Sequence, residues 1–543
     1  MDTRGDFDAV VIGSGMGGLS AAALLARLHG MKVLVLERHF RAGGFTHTFT
    51  RPGGWRWDVG VHYVGQVEEP GMARNVLRTV TGGELRWTRM ADPFERLVFP
   101  GFEFAIRAGK ERFLADLAAA FPAEEQALRR YLRDLSRATS WTAAMGTRGV
   151  APAPVGWALA AALGRRRALA ARTTRSYLDE RFRDPRLKAV LGARWGDWGL
   201  PPAESAFLAH AVITSHYLEG AFYPEGSAAR IAETAIPVIE SAGGEVRVRT
   251  EVERILLRNG RAIGVRLRGG EEILTPRVIS DAGARNTFLR LLPPEAPVPF
   301  RPRLERIGPG MAHVSLCLGL SSSPAALGVH GENFWIHDDL DHDAMWARRA
   351  SVLEGKAPHV YLSFPSLKDP EARAHTAEIV TAVDGAAFAR WAGTRWMKRG
   401  ADYQALKERI ADGLLAAVER RLPGFGSLVA YRELSTPLTT GHFSGHPGGE
   451  IYGIPFTPER LGMTWLGPRT PIPGLFLTGA DALMLGVVGA MMGGLFCTAA
   501  VAGLSTFRRV TAEGRRTPGR GGASVSGAPA TRPTPSATTP STV

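Results

Sequence analysis

The chain has 543 residues, 45% of them hydrophobic, which is long enough for several domains and too apolar for wholesale disorder. Its formal charge of +14, from 66 basic against 52 acidic residues, gathers in residues 164–188 and after Phe507. Neither stretch comes with an aromatic-interleaved basic face or a nucleic-acid motif, so no nucleic-acid partner is expected. The two cysteines, Cys317 and Cys497, sit in apolar surroundings and form no C-x-x-C pair. That argues against a disulfide framework, a redox dithiol or a metal site, and no metal is expected.

In chain order, the opening MDTRGDFDA is short, polar and acidic, unlike a secretory leader, which leads to an expected cytoplasmic location. Residues 8–37 read as strand, glycine turn, helix and strand. DAVVIG and KVLVLE are buried strands, and GGLSAAALLARLHG is a helix stopped by Gly30. Gly13, Gly15 and Gly18 form G-x-G-x-x-G at the turn. The first permits the sharp bend, the second admits a pyrophosphate against the backbone, and the third lets helix and strand pack closely. Glu37 ends the second strand 19 residues after Gly18, where a carboxylate can accept ribose hydroxyls. The unit predicts dinucleotide binding, by FAD or NAD; the competing reading is a packing turn beside an exposed glutamate. Gly43 and Gly44 follow six residues after Glu37.

The middle, from about 70 to 222, reads as mostly helical. Within it, APVGWALAAALG (153–164) is too short to span a membrane and runs into Arg165, Arg166 and Arg167. Such a segment suits a helix dipped into an anionic membrane surface, so 153–175 is an expected peripheral contact on the inner face of the membrane. An ordinary cap-domain helix fits the same residues. Residues 245–281 are strand-rich, with turns at RNGR and RGGEE, and 310–465 mix strands and helices. Residues 474–507 give a strand, GLFLTG, a loop that takes in Gly486 and Gly489, and then a helix. The uncharged run 482–507 is long enough to span a membrane, but the shorter helix left after the loop fits the interior of a nucleotide domain. From 511 to 543, Pro, Ser, Thr, Gly and Ala with scattered Arg predict a disordered tail.

These pieces resemble the phytoene desaturase, carotenoid isomerase and retinol saturase family over nearly the whole chain to about residue 507. WDVGVHYVG (57–65) is most similar to the retinol-saturase-like branch. FYPEGSAARIAE is similar to a family Tyr-Pro-x-Gly-Gly segment, with Ser227 in place of the second glycine, and STPLTTGHFSGHPGGEIYG to a segment near the substrate. The resemblance implies an α/β fold. A Rossmann-like FAD-binding domain of the two-dinucleotide-binding-domain type (1–70, 225–285 and 468–507) would carry an inserted mixed α+β substrate and cap domain (71–224 and 286–467). It implies FAD as cofactor, with Arg38 beside Glu37, Gly43 and Gly44 against the diphosphate, and the Val252 backbone on the adenine. Asp481 would reach the ribityl chain, and the turn at Gly489 and Ala490 would bring a helix N-terminus to the flavin ring. For Asp481 the alternative is a helix cap.

The expected chemistry is hydride transfer between flavin N5 and a C=C bond of a long apolar polyene or isoprenoid lipid, retinol- or carotenoid-like. Its direction is open, and because no second strand–G-x-G-x-x-G–helix unit seats NAD(P)H, electrons are exchanged with an external donor or acceptor or with a nicotinamide that visits briefly. His62 and Tyr63, following the first flavin segment, are the candidate proton-handling pair, with a packing role as the alternative. His216, Tyr217 and Tyr223 are substrate-side candidates. Three other activities compete: a carotenoid isomerase without net redox, a non-catalytic lipid carrier of the same fold, and an amine oxidase.

Overall fold

The computed structural model describes residues 5–515. Five short strands form one wholly parallel sheet, in the order Leu475–Leu477, Val278–Ser280, Ala9–Ile12, Val33–Leu36, Glu245–Arg247. Its central strands, AVVI and VLVL, are buried at every position, as a sheet covered on both faces requires. Alternation divides them between two cores. Val11, Val33 and Val35 face the helices Met16–His29, Ala229–Glu240 and Gly486–Ala502. Val10, Ile12, Leu34 and Leu36 face a three-stranded antiparallel sheet, Val252–Arg258, Arg261–Leu267 and Glu272–Leu274. Its first hairpin turns at Asn259 and Gly260, both at positive φ (49° and 73°), the conformation that suits an Asn-Gly pair.

A seven-stranded sheet stands apart from the parallel one, ordered Val429–Ser435, Ala312–Leu320, His375–Val383, His359–Ser363, Asn333–His337, Glu95–Phe99, Phe102–Ile106. All pairings are antiparallel except Asn333–His337 with Glu95–Phe99. The last two strands come from the stretch read as mostly helical. Their alternating apolar residues flank a Pro100-Gly101 turn, a hairpin signal outweighed by the Ala/Leu/Arg-rich segments that follow. Those segments do fold as helices from Lys110 to His216, around an aromatic core that includes Tyr131, Trp141, Tyr177, Trp195 and Phe207.

Two expectations are corrected near the C-terminus. The closing helix begins at Gly486, so Gly489 lies inside it rather than in a loop. A Cβ on Gly489 would stand 2.5 Å from the Met484 carbonyl oxygen, so the glycine is there to let the loop fold back on the helix's first turn. The chain then stays helical over Ser505–Gly514, so residues 511–514, counted with the tail, are ordered: Val510 is buried, and Arg27 and Glu513 form an ion pair at 2.7 Å. The rest of the expected tail lies outside the described residues. The 153–175 segment folds as helices Ala153–Ala162, Gly164–Ala170 and the start of Thr174–Arg181; Val155 is 54% exposed and Arg165–Arg167 are exposed. Among the described residues no helix is long and apolar enough to cross a membrane.

Candidate functional site

The glycine turn is built without room for side chains. Gly13 has φ +95°, and a Cβ on Gly18 would meet the Gly13 carbonyl oxygen at 2.2 Å, so the third glycine allows the helix to lie on the turn. Gly43 (φ +116°) and Gly44 (φ +55°) bring the next loop against it, with a Cβ on Gly44 only 2.9 Å from the Gly15 Cα. The helix that starts here has no side-chain cap and no acidic residue in its first turn, which leaves its N-terminal end suited to an anion. Glu37 is buried; its carboxylate accepts from the Ser14 N–H (2.9 Å), the Ser14 hydroxyl (2.7 Å) and the His39 N–H (2.7 Å). It thereby ties the turn to the end of the second strand.

The C-terminal segment closes on the same place. A Cβ on Gly17 would fall 2.3 Å from the Gly479 Cα. Asp481, buried, accepts from the Ala284 N–H (2.7 Å) and the Ile454 N–H (2.8 Å), and buried Arg460 donates to the Ala480 carbonyl (2.7 Å), which fixes the loop that carries it. Gly486, Val487 and Ala490 present the uncapped start of the closing helix.

A single cavity of about 990 Å³ joins these parts. Its wall holds Glu37, Arg38 and Val252, together with Gly13, Gly15, Gly43, Gly44 and Asp481, and Gly486 and Ala490. The same cavity continues to His62, Asp197, Met311, Trp335, Tyr361 and Tyr452. Its volume lies at the upper end of ligand sites, room for a dinucleotide with a second molecule beside it. Asp281 is on the wall as well, its carboxyl within 2.6 Å of where Cβ atoms on Gly15, Gly17 or Gly479 would stand; burial raises it to about 7.

On the distal part of the wall and just behind it lies a dense polar layer. The Tyr63 hydroxyl is 2.6 Å from Glu95 Oε1 and 2.7 Å from Asp197 Oδ2, and Glu95 also accepts from the Trp335 indole (3.0 Å) and faces Arg194 (3.4 Å). Burial and the neighbouring Glu95 raise Asp197 to about 7. His62 Nδ1 lies 3.1 Å from Oε2 of the buried Glu378. The Lys368 ammonium donates to the His62 carbonyl (2.8 Å), Asn333 Oδ1 (2.7 Å) and Ser363 Oγ (2.6 Å), and burial lowers it to about 7. Tyr223 donates to buried Asp58, itself raised to about 7 by burial and Glu378.

The residues singled out from sequence therefore divide. Gly13, Gly15, Glu37, Arg38, Gly43, Gly44, Val252, Asp481, Ala490 and His62 line the cavity. Gly18 and Gly489 act one layer back by permitting close packing. Tyr63, His216, Tyr217 and Tyr223 stand behind the wall. His216 Nε2 accepts from the Gly65 N–H (2.8 Å), and Tyr217 stacks on Tyr63 with ring centres 4.3 Å apart. Ser227 takes φ +89°, the backbone a glycine would favour, so the turn keeps its shape at the cost of strain. Cys317 and Cys497 are buried and free. Sequence reasoning missed Asp197, Asp281, Glu378, Lys368 and Arg460. Only Asp281, the acid ending VISD after a buried strand, carried a local signal.

Residues 11–79 match the family described as NAD(P)-binding Rossmann-like domain. An all-trans-retinol 13,14-reductase of Danio rerio is 35% identical over 521 residues, covering 91% of this chain and 85% of the relative. The chain belongs to the all-trans-retinol 13,14-reductase family. A prolycopene isomerase of an Oncidium hybrid cultivar is 25% identical and covers 92% of this chain and 84% of its own. Among solved structures, an oxidoreductase from Methanosarcina mazei shares the fold with a TM-score of 0.60 at 18% identity, covering 90% of this chain and 98% of the other. Membership in the retinol reductase family makes this chain an oxidoreductase on a Rossmann-type dinucleotide scaffold, as the motifs indicated. Within that family frame, the wall residues contributed by the first 44 positions and by 478–490 are one binding surface built from opposite ends of the chain.

Proposed function

We propose that this protein is an FAD-dependent oxidoreductase that saturates a C=C bond of a retinoid or carotenoid-like polyene. The observation that carries the reading is the continuity of the cavity. Its nucleotide end, with a buried carboxylate and a side-chain-free turn, opens into a distal end walled by Met311, Trp335, Tyr361 and Tyr452, suited to an apolar chain. The residues present fit FAD. Glu37 would hold the ribose, Gly13–Gly15 and Gly43–Gly44 the diphosphate, Val252 the adenine, and Asp481 the ribityl chain. The open start of the closing helix at Gly486 would meet the flavin ring. When bound, reduced FAD supplies hydride. The chain orients the alkene, excludes water through its aromatic wall, and holds a proton for the second carbon; His62 on the wall, with Tyr63 behind it, is the sequence-derived choice for that task.

The lipid would be taken from an anionic membrane surface through the helix Ala153–Ala162, exposed at Val155, and the exposed Arg165–Arg167, and two electrons would come from an external donor. The prolycopene isomerase relative favours a second reading, isomerisation with no net redox. Purified protein should be yellow with bound FAD. Incubated anaerobically with dithionite and, separately, all-trans-retinol, a carotene and a polyunsaturated fatty acid, it should give a product heavier by two hydrogens. A geometrically altered product of unchanged mass selects isomerisation, and a protein unable to take up FAD refutes both.

A further inference from the structure

Tyr63 lies between two carboxyl oxygens, Glu95 Oε1 at 2.6 Å and Asp197 Oδ2 at 2.7 Å, yet its hydroxyl carries one hydrogen. Each of these short contacts needs a hydrogen. The phenol supplies the first and stays protonated, because burial pushes its ionisation far above the ordinary tyrosine range. The second must sit on a carboxyl. Glu95 is the poorer place for it: both of its oxygens already face donors, Oε1 the Trp335 indole N–H at 3.0 Å and Oε2 the Arg194 guanidinium at 3.4 Å. Asp197 feels burial and the Glu95 charge first, and only then the Tyr63 hydroxyl and Arg194. Tyr217, Tyr361 and Tyr452 complete the titratable groups coupled to it, all neutral. So Tyr63 donates to Glu95, and Asp197 donates to the Tyr63 oxygen. Of these three groups, Asp197 alone lines the cavity, beside Trp335, Tyr361 and Tyr452.

We propose that Asp197 is the acid that completes saturation, a catalytic residue kept neutral by the Tyr63–Glu95 pair, which positions it. This rests on the saturation reading above. With reduced FAD bound, hydride would be supplied to one alkene carbon, and the π pair would move to the neighbouring carbon. A rotation of the carboxyl about Cβ–Cγ turns its O–H toward the cavity. The O–H bond breaks, the second C–H bond forms, and Asp197 is left as carboxylate to be reprotonated from solvent. The two electrons would come from the bound cofactor and be replenished in the assay by dithionite.

The test uses FAD-loaded full chain. In the infrared, wild type should show carboxylic-acid carbonyl absorption at pH 6 from Asp58, Asp197 and Asp281, the Asp197 band shifting in D2O and disappearing as pH rises through about 7. Asp197→Asn should lack this one band and keep those of Asp58 and Asp281, and Glu95→Gln should lose it at lower pH, because the repelling charge is gone. With dithionite and all-trans-retinol, Asp197→Asn should slow saturation by about 10²–10⁴-fold, the usual worth of a general acid, with FAD binding unchanged. In D2O the wild-type product should carry one solvent deuterium on carbon. The proposal is overturned by an acid-carbonyl absorption that Asp197→Asn leaves unchanged, or by wild-type turnover in that variant while His62→Phe abolishes it. If Asp197→Asn does not fold, the Glu95→Gln shift decides, and an unmoved band overturns the proposal. A wild type that saturates no polyene while the infrared result holds counts against the saturation reading instead.

Discussion

Gly17→Ala tests the closure of the two chain ends directly. The added Cβ would stand 2.3 Å from the Gly479 Cα, 2.4 Å from its nitrogen and 2.6 Å from Asp281 Oδ1. Carbon atoms rest at about 3.5–4.0 Å, so the helix and the Thr478–Gly479 backbone must separate by about 1.2 Å or more. Backbone faces backbone, so no flexible side chain can absorb the overlap, and the cost belongs at the upper end of the overpacking range, about 3 kcal/mol. Alanine returns about 1 kcal/mol in helix propensity, leaving a net loss of about 2 kcal/mol. The same displacement moves Asp481 away from the glycine turn, so FAD affinity should fall at least tenfold, which corresponds to about 1.4 kcal/mol. Chemical denaturation and flavin-fluorescence titration measure the two effects. Gly164→Ala, in a helix and with nothing within 4 Å of the new Cβ, is the control and should be neutral or stabilising by up to about 1 kcal/mol. A Gly17→Ala protein with wild-type stability and wild-type FAD affinity would refute the packing argument.

Ser227→Gly should stabilise the protein by about 1 kcal/mol, since it relieves a left-handed serine and removes a buried hydroxyl without a partner; a lower melting temperature would contradict this. For pH, the signs oppose. His47, His210, His216, His313 and His359, lowered to about 3–4 mainly by burial, bind fewer protons folded than unfolded between about 4 and 6.5, so their share of stability rises with pH there. Asp58, Asp197 and Asp281, raised to about 7, lose stability over about 4–7. Five such groups outweigh three, so the melting temperature should climb from pH 5 to 6.5; a flat or falling profile would show that the carboxyls dominate. Arg165, Arg166 and Arg167 changed together to Glu should abolish co-sedimentation with phosphatidylserine vesicles while phosphatidylcholine vesicles bind neither protein; equal binding by both proteins would remove the membrane contact.

What could be read from sequence was whatever depends on neighbours along the chain. The G-x-G-x-x-G turn, Glu37, the Gly43-Gly44 doublet and the Asn259-Gly260 hairpin each need a particular backbone within a few residues, and each stands where its pattern placed it. Gly17 escaped notice because its constraint comes from Gly479, more than four hundred positions away. Asp197, Glu378 and Lys368 were invisible for a related reason. Each sits in an ordinary-looking helix turn, strand or loop, and only the meeting of the seven-stranded sheet with the helical layer gathers them around His62 and Tyr63. Gly486 looked like a loop residue because it has φ +79° at the very start of a helix, a boundary that composition alone does not mark.

The parallel sheet takes its outermost strand, Leu475–Leu477, from nearly the end of the chain. During synthesis, Val278–Ser280 must therefore wait with one side unpaired while about two hundred further residues emerge, a vulnerable template for pairing with other chains. Truncation before residue 475 would leave that edge open permanently. Aggregation, rather than mere loss of cofactor, is the outcome such shortened chains should show.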